Sequence, residues 1–163
     1  MDSCFYEVLS TIQFNGDVEV KDVQYGLARL ISSAMNNEKL LKELHSRNCF
    51  KPYTFCSPYP LEKEKIYHKG RMYCFNLRTP NLKFALAMKK YLPSTKGIAK
   101  VIAVEIRNYK QRYIEELISL TPIICTVENR CWMPGDGLGL LAERLQHNAL
   151  KKYQLQDSSF TVP

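Results

Sequence analysis

Residues 71–94, RMYCFNLRTPNLKFALAMKKYLPS, decide the fold because they place one strand directly before one helix. Residues 71–79 contain aromatic and β-branched residues of the kinds that are enriched in strands. Pro80 then opens a helix, since proline favours the first helical turn. Pro93 and Ser94 end this helix, whose apolar positions are Leu82, Phe84, Ala85, Leu86, Met88 and Tyr91.

The segments on both sides extend this pair into a longer alternation. Residues 3–14 and 53–57 are predicted strands upstream, and residues 98–106 form the strand downstream. Two helices lie between the upstream strands, and their apolar positions are Val23, Leu27, Leu30, Ile31 and Ala34, then Leu40, Leu41 and Leu44. Strand, helix, strand, strand, helix, strand is the split βαβ order. We therefore predict an α+β fold, a ferredoxin-like or RNA-recognition-like βαββαβ domain with a four-stranded antiparallel sheet and both helices on one face.

The remaining residues add elements to this unit. Residues 118–127 are predicted to form a further strand, paired in a hairpin with residues around Tyr113. Residues 133–139 form a glycine-rich turn, and Leu141, Leu145 and Ala149 mark a C-terminal helix. The last ten residues are strand-like without a partner. We assign residues 1–137 to the ferredoxin-like domain, and residues 138–163 to a linker helix and the start of a truncated second domain.

Charge and cysteine usage narrow the class of protein. The formal net charge is +7, from 23 Lys and Arg against 16 Asp and Glu, which favours a polyanionic partner. Such a partner is either nucleic acid or an anionic membrane surface. No apolar run approaches the length of a membrane span, and the basic residues are scattered rather than clustered on one long helix, so we expect nucleic acid and no membrane. The six cysteines form no CxxC pair and no cluster with histidine. We therefore expect a reduced, cytoplasmic protein with no metal and no cofactor.

His45 and Lys51 are tied together by a short loop between a helix and a strand. Histidine changes its charge near neutral pH, and lysine supplies a permanent cation. This pairing suits metal-free cleavage of RNA. Histidine is also an ordinary residue of a last helical turn, where the helix dipole favours a cation, and a lysine is commonly only solvated. Both interpretations stay open on the spacing alone.

Several segments, in their order and spacing, resemble the CRISPR-associated repeat-processing endoribonucleases, the Cas-six family. They cover nearly all of the chain: Leu44-His45, then Lys51-Pro52-Tyr53-Thr54-Phe55 with Ser57-Pro58, Gly70 to Phe75, Arg78-Thr79-Pro80, Ser119 to Ile123, and Leu145 with Asn148, Lys151, Lys152 and Tyr153. Members of that family have two tandem RNA-recognition-like domains. By the resemblance this chain covers the first domain and the entry to the second, as an N-terminal fragment, a natural half-protein or a degenerate homologue.

The resemblance implies a metal-independent endoribonuclease that processes CRISPR repeat RNA. A ribose 2′-OH attacks the adjacent phosphate and leaves a 2′,3′-cyclic phosphate and a 5′-OH. The family's histidine and lysine fall on His45 and Lys51. Some members add a tyrosine on the first helix. The matching position here is Ser32, which lacks the phenol and completes our set of candidate catalytic residues.

The basic residues predicted to contact RNA phosphates are Lys89, Lys90, Arg107, Lys110, Arg112, Arg144, Lys151 and Lys152. Tyr73 and Phe75 share one strand face, where they either stack on bases or pack in the core, and we favour the core. CRISPR repeat RNA is the expected partner, with a C-terminal half, a CRISPR effector complex or a second copy of the chain as further candidates. The alternative function is a non-catalytic RNA-binding or structural fragment that needs a second domain or partner.

Overall fold

The computed structural model describes residues 4–46, 50–110, 116, 118 and 124–154. The chain divides into two compact units, Met1–Leu120 and Thr121–Pro163. The boundary that we predict after residue 137 stays a prediction. In the first unit the elements are β1 (Cys4–Phe14), β2 (Val18–Glu19), α1 (Val20–Met35), α2 (Lys39–Ser46), β3 (Thr54–Phe55), β4 (Ile66–Tyr67), β5 (Met72–Thr79), α3 (Leu82–Tyr91) and β6 (Ala99–Lys110).

The main sheet has the strand order β3-β5-β1-β6, and every neighbouring pair is antiparallel. The long central strand β1 pairs with β5 on one side and with β6 on the other, and β3 is a short edge strand. With α1 between the first two strands of this sheet and α3 between the last two, this is the ferredoxin-like order. The predicted βαββαβ fold is therefore confirmed.

One face of the sheet packs against α1 and α3. Val8 and Ile12 of β1 join the buried residues of both helices in one core. Tyr73 and Phe75 point into the same core, each only 1% exposed, so the prediction that they pack rather than stack on bases is confirmed. The buried Tyr73 hydroxyl donates a hydrogen bond to Glu62 Oε1 at 2.8 Å, which satisfies its polar atom.

Helix α3 begins two residues later than predicted. Asn81 has extended backbone angles, and its side-chain oxygen accepts a hydrogen bond from the Phe84 N–H at 3.1 Å. Asparagine is a strong N-cap residue, and Pro80 therefore lies before the helix rather than in its first turn. The predicted apolar face is also corrected, because Leu82 and Leu86 are exposed while the core side is formed by Phe84, Ala85, Ala87 and Met88.

Two features of the first unit depart from the predicted strands. Strand β6 runs to Lys110 rather than ending at residue 106, since it pairs with β1 along its whole length, past an irregularity beside Thr11 and Ile12. The polar link after β3 contains β4, which pairs with β2 in a separate two-stranded ladder. Pairs of this length have no periodicity for a sequence pattern to reveal.

The second unit contains β7 (Thr126–Val127), β8 (Arg130–Cys131), a 3-10 turn at Pro134–Asp136 and α4 (Leu138–Gln154). The two strands form a tight hairpin, with positive φ at both Glu128 and Asn129. The predicted C-terminal helix is confirmed. The hairpin predicted from residues 118–127 and the region of Tyr113 falls largely outside the described residues, as do nearly all of the last ten. Within the described part of the chain, no helix is long and apolar enough to cross a membrane.

Candidate active site

Helix α2 carries His45 in its last turn. The helix is amphipathic, with Leu41 buried and Leu44 packed against the core. His45 lies on the outer side and is exposed to solvent. The predicted position of the histidine, at the end of a short helix after the first long one, is therefore found in the structure.

Lys51 closes the end of this helix. Its ammonium donates hydrogen bonds to the backbone carbonyl oxygens of Leu44 and His45, the second at 3.2 Å. The last carbonyls of a helix have no partner within the helix and carry the negative end of its dipole, so a lysine is favoured there. The structure thus brings Lys51 to the backbone of His45. This contact is a helix cap, which the sequence interpretation of Lys51 as a phosphate contact did not include.

The segment that follows Lys51 is held by the sheet and by α3. The Pro52 carbonyl accepts a hydrogen bond from the buried Thr79 hydroxyl at 2.7 Å. Tyr53 stacks on Phe84, with ring centroids 4.8 Å apart, and its burial raises the pKa of its phenol. These contacts fix the path of the backbone on which Lys51 reaches back to α2.

Ser32 lies in the last turn of α1 and is half-buried. Its carbonyl accepts a hydrogen bond from the Asn36 N–H at 3.2 Å, where α1 ends. The contacts that join Lys51 to α2 do not involve Ser32. The catalytic assignment of Ser32, His45 and Lys51 therefore stays a prediction.

Two candidate phosphate contacts of the first unit, Lys90 and Arg107, have internal partners. The Lys90 ammonium lies 4.8 Å from the centre of the Tyr91 ring, and this neighbour raises the pKa of Lys90. Arg107 makes a two-pronged ion pair with Glu105, at 3.1 and 3.2 Å. The hydrogen bonds and charge of Arg107 lower the pKa of Glu105, and Lys89 adds to this effect. Part of the predicted basic surface is therefore neutralised by the protein itself.

The other predicted contacts are divided between the units. Lys110 ends β6 in the first unit, while Arg144, Lys151 and Lys152 lie on α4 in the second. Arg144 Nε donates to the Thr126 carbonyl at 3.1 Å and so supports the hairpin. Arg112 lies outside the described residues. Each of these assignments stays a prediction.

A buried acid on the open face of the sheet was missed by the sequence analysis. Glu7 is 4% exposed and accepts hydrogen bonds from Asn76 Nδ2 at 2.9 Å and Arg78 Nε at 3.0 Å. Its neighbour on the other adjacent strand is Arg107. Only the strand register places these groups together, so no local sequence pattern predicts their contact. They make the centre of this face a polar network that is already paired internally.

Among the described residues there is no group of three or more His, Cys, Asp or Glu side chains that could hold a metal ion. Cys56, Cys74, Cys125 and Cys131 are free thiols.

Comparisons with known proteins were informative at the level of structure but not of sequence. No protein-family model matches the sequence, and no curated protein matches it. Among solved structures, the chain is similar to a Cas6 product complex, with 19% sequence identity and a TM-score of 0.40. The alignment covers 61% of this chain and 40% of that one, so this chain matches less than half of that protein's length. The fold class itself rests on the strand order and the shared helix face described above.

Proposed function

We propose that this chain is a metal-independent endoribonuclease domain that processes CRISPR repeat RNA. The observation that carries the proposal is the contact of the Lys51 ammonium with the backbone of His45 at the solvent-exposed end of α2. It holds the lysine cation against the backbone of the histidine at the end of the helix. The resemblance of the sequence motifs to the repeat-processing endoribonucleases supports the same assignment.

The proposed reaction needs only the protein, the RNA and water. The ribose 2′-oxygen forms a bond to the adjacent phosphorus, and the bond from phosphorus to the 5′-oxygen breaks. His45 either accepts the 2′-OH proton, while water protonates the leaving 5′-oxygen, or donates a proton to that oxygen, while water accepts the 2′-OH proton; such transfer contributes about 10²–10⁴-fold. Lys51 positions the helix end and keeps a positive charge next to the site, which favours the developing phosphate charge. Ser32 replaces the phenol of some family members with a smaller hydroxyl.

The experiment for this function uses the cognate repeat RNA in excess EDTA. Wild-type protein should cut the RNA and leave a 2′,3′-cyclic phosphate, which phosphatase and polynucleotide kinase treatment identify. A substrate with one 2′-deoxyribose at the cut should bind equally well and stay intact, because it lacks the nucleophile. Cleavage that disappears on chelation, or that persists at the deoxy position, would contradict the proposal.

A second candidate function is RNA binding without cleavage, by a fragment that needs a second domain or a partner. Two features favour it: the Lys51 ammonium bonds to two helix carbonyls, and Ser32 stands where some members of the resembled family carry a tyrosine. This candidate predicts salt-sensitive affinity for the repeat RNA with no product at any enzyme concentration. If cleavage were restored by adding a C-terminal half, the chain would lack a partner. If it were not, the chain would lack a catalytic group.

A further inference from the structure

A groove of about 500 Å³ runs between α1 and residues 96–98, which lead into β6. Two glycines allow the close approach of its walls. A Cβ at Gly26 would lie 2.3 Å from Ile98 Cδ1, and one at Gly97 would lie 2.8 Å from Leu30 Cδ1. The floor of the groove is therefore backbone and apolar side chain.

The second wall of the groove is tied to the turn that follows β1. The Asn15 side-chain amide donates to the Gly97 carbonyl at 2.8 Å, and the Asn15 N–H donates to the Ile98 carbonyl at 3.2 Å. These bonds fix residues 97 and 98 to the turn after β1. The groove is thus built from two anchored segments of the first unit.

An aromatic ring and a guanidinium stand together on the rim. Tyr25 is a large ring on the outer face of α1, where it is 71% exposed. The guanidinium carbon of Arg29, one turn further along α1, lies 5.9 Å from the centre of the Tyr25 ring. Arginine on one side leaves the rest of the ring open to solvent. Aromatic rings and guanidinium planes are the surfaces on which unpaired bases stack.

The remaining polar groups of the groove match the other parts of a nucleotide. Arg29 on α1 and Lys96 on the opposite wall supply two cations for a phosphate. Asp22 repels phosphate, but its carboxylate accepts hydrogen bonds of the kind that the amino groups of bases donate. Ser33 adds a hydroxyl at the far end of the groove.

We propose that this groove binds one unpaired nucleotide of RNA, with the base stacked on Tyr25, the phosphate near Arg29 and Lys96, and a base amino group at Asp22. The inference rests on the proposed function and extends it, because Ser33 lies in the last turn of α1 and the groove would thus lead RNA along α1 toward the end of that helix. The chemistry is that of a nucleotide, either free or within a chain. We assign it to RNA.

The test is the affinity of the full chain for a fluorescein-labelled single-stranded RNA of mixed sequence at low salt. Tyr25→Ala should weaken binding about 10-fold, because base stacking is lost, whereas Tyr25→Phe should stay within about twofold of wild type. Tyr59→Ala is the matched control, since Tyr59 is 73% exposed outside the groove, and it should have no effect. Lys96→Ala should lower the slope of log affinity against log salt by about 1.

Three results would overturn the inference in distinguishable ways. Equal RNA affinities for Tyr25→Ala and wild type would contradict the nucleotide site but not the proposed function. Absence of any RNA affinity in the wild type would remove both. Binding of guanosine 5′-monophosphate that Tyr25→Ala abolishes, while the RNA affinity of Tyr25→Ala equals that of the wild type, would assign the groove to free nucleotides instead. Circular dichroism of each variant checks that the fold is kept.

Discussion

At the residue scale, the last turn of α2 ends on carbonyl groups that no residue of the helix itself can pair. Lys51 supplies the donor for two of them from outside the helix. Pro52 and Tyr53 are anchored to Thr79 and Phe84, so the backbone that carries Lys51 is already held in the position that this contact requires. The position of His45 therefore depends on a contact of its backbone carbonyl and not of its side chain.

Removal of the Lys51 ammonium should destabilise the protein as well as the site. We expect Lys51→Ala to lower the free energy of unfolding by about 1–2 kcal/mol, since a charged hydrogen-bond donor at a helix C-terminus is lost. Urea titration followed by circular dichroism measures this. Lys42→Ala, which removes an exposed lysine from the same helix, should change stability by less than about 0.5 kcal/mol. Equal losses in the two variants would contradict the capping role.

Asp136 provides a pH-dependent contact in the second unit. Its ion pair with Arg130 and its bond from the Met133 N–H lower the pKa of the carboxyl from 3.8 to about 2. A depressed pKa means that the stabilisation is complete above the unfolded value and disappears as the pH falls through about 2. An NMR titration of the Asp136 carboxyl should give this midpoint, and Arg130→Gln should move it back toward 3.8. A wild-type midpoint near 3.8 would show that the ion pair does not form.

The candidate site could be predicted only where chain neighbours are also neighbours in space. His45 and Lys51 were predictable as a pair, because a short loop between a helix and a strand holds them close. The cap itself was not, since it depends on the path that Tyr53 takes against α3. The groove beside Tyr25 was missed for the same reason: its second wall lies some seventy residues further along the chain.

At the element scale, α1 and the start of β6 pack through glycine. A Cβ at Gly26 would lie 2.3 Å from Cδ1, 3.2 Å from Cγ2 and 3.3 Å from Cβ of Ile98. Rotation of the Ile98 side chain can move its tip but cannot move its own Cβ. A side chain at position 26 therefore pushes the helix away from the strand.

Gly26→Ala should accordingly destabilise the first unit despite the better helix propensity of alanine. Overpacking typically costs about 1–3 kcal/mol, and alanine recovers about 1 kcal/mol of it, which leaves a loss of up to about 2 kcal/mol. Thermal or urea unfolding measures the change. The double variant Gly26→Ala/Ile98→Ala should show a favourable coupling energy between the two sites, since the clash is removed.

Gly16→Ala is the control for this prediction, because nothing lies within 4 Å of a Cβ at Gly16. We expect it to be neutral or slightly stabilising. If Gly26→Ala were as stable as Gly16→Ala, the close packing of α1 on β6 would be wrong.

The elements with a strong hydrophobic periodicity were predicted well. The very short strands and the capped start of α3 were not. The buried residues Val23, Leu27 and Leu30 follow the helical spacing of α1, and β1 has the predicted extent from Cys4 to Phe14. The ladder of β2 and β4 joins residues almost fifty positions apart, so only the tertiary fold creates it. The start of α3 moved because Asn81 caps the helix more effectively than Pro80 opens it.

At the scale of the whole molecule, the net charge of +7 indicates a polyanionic partner but not the surface that meets it. In the composition, Arg107 and Lys90 both count as free cations. In the fold, Arg107 forms an ion pair with Glu105, and the Lys90 ammonium lies over the Tyr91 ring. Whether a basic residue is available to phosphate therefore depends on cross-strand and helix-end neighbours. We therefore propose that α1 and the end of α2, rather than β6, form the RNA surface.

Cleavage by a His45→Ala variant tests the central claim most directly. The variant and the wild type are incubated with the cognate repeat RNA in EDTA, and cleavage and affinity are measured on the same samples, with His147→Ala as a histidine control on α4. We predict that His45→Ala loses cleavage and keeps its affinity within about twofold, because the proton-transfer group is removed and the fold is not. Cleavage by His45→Ala at the wild-type rate would contradict the account.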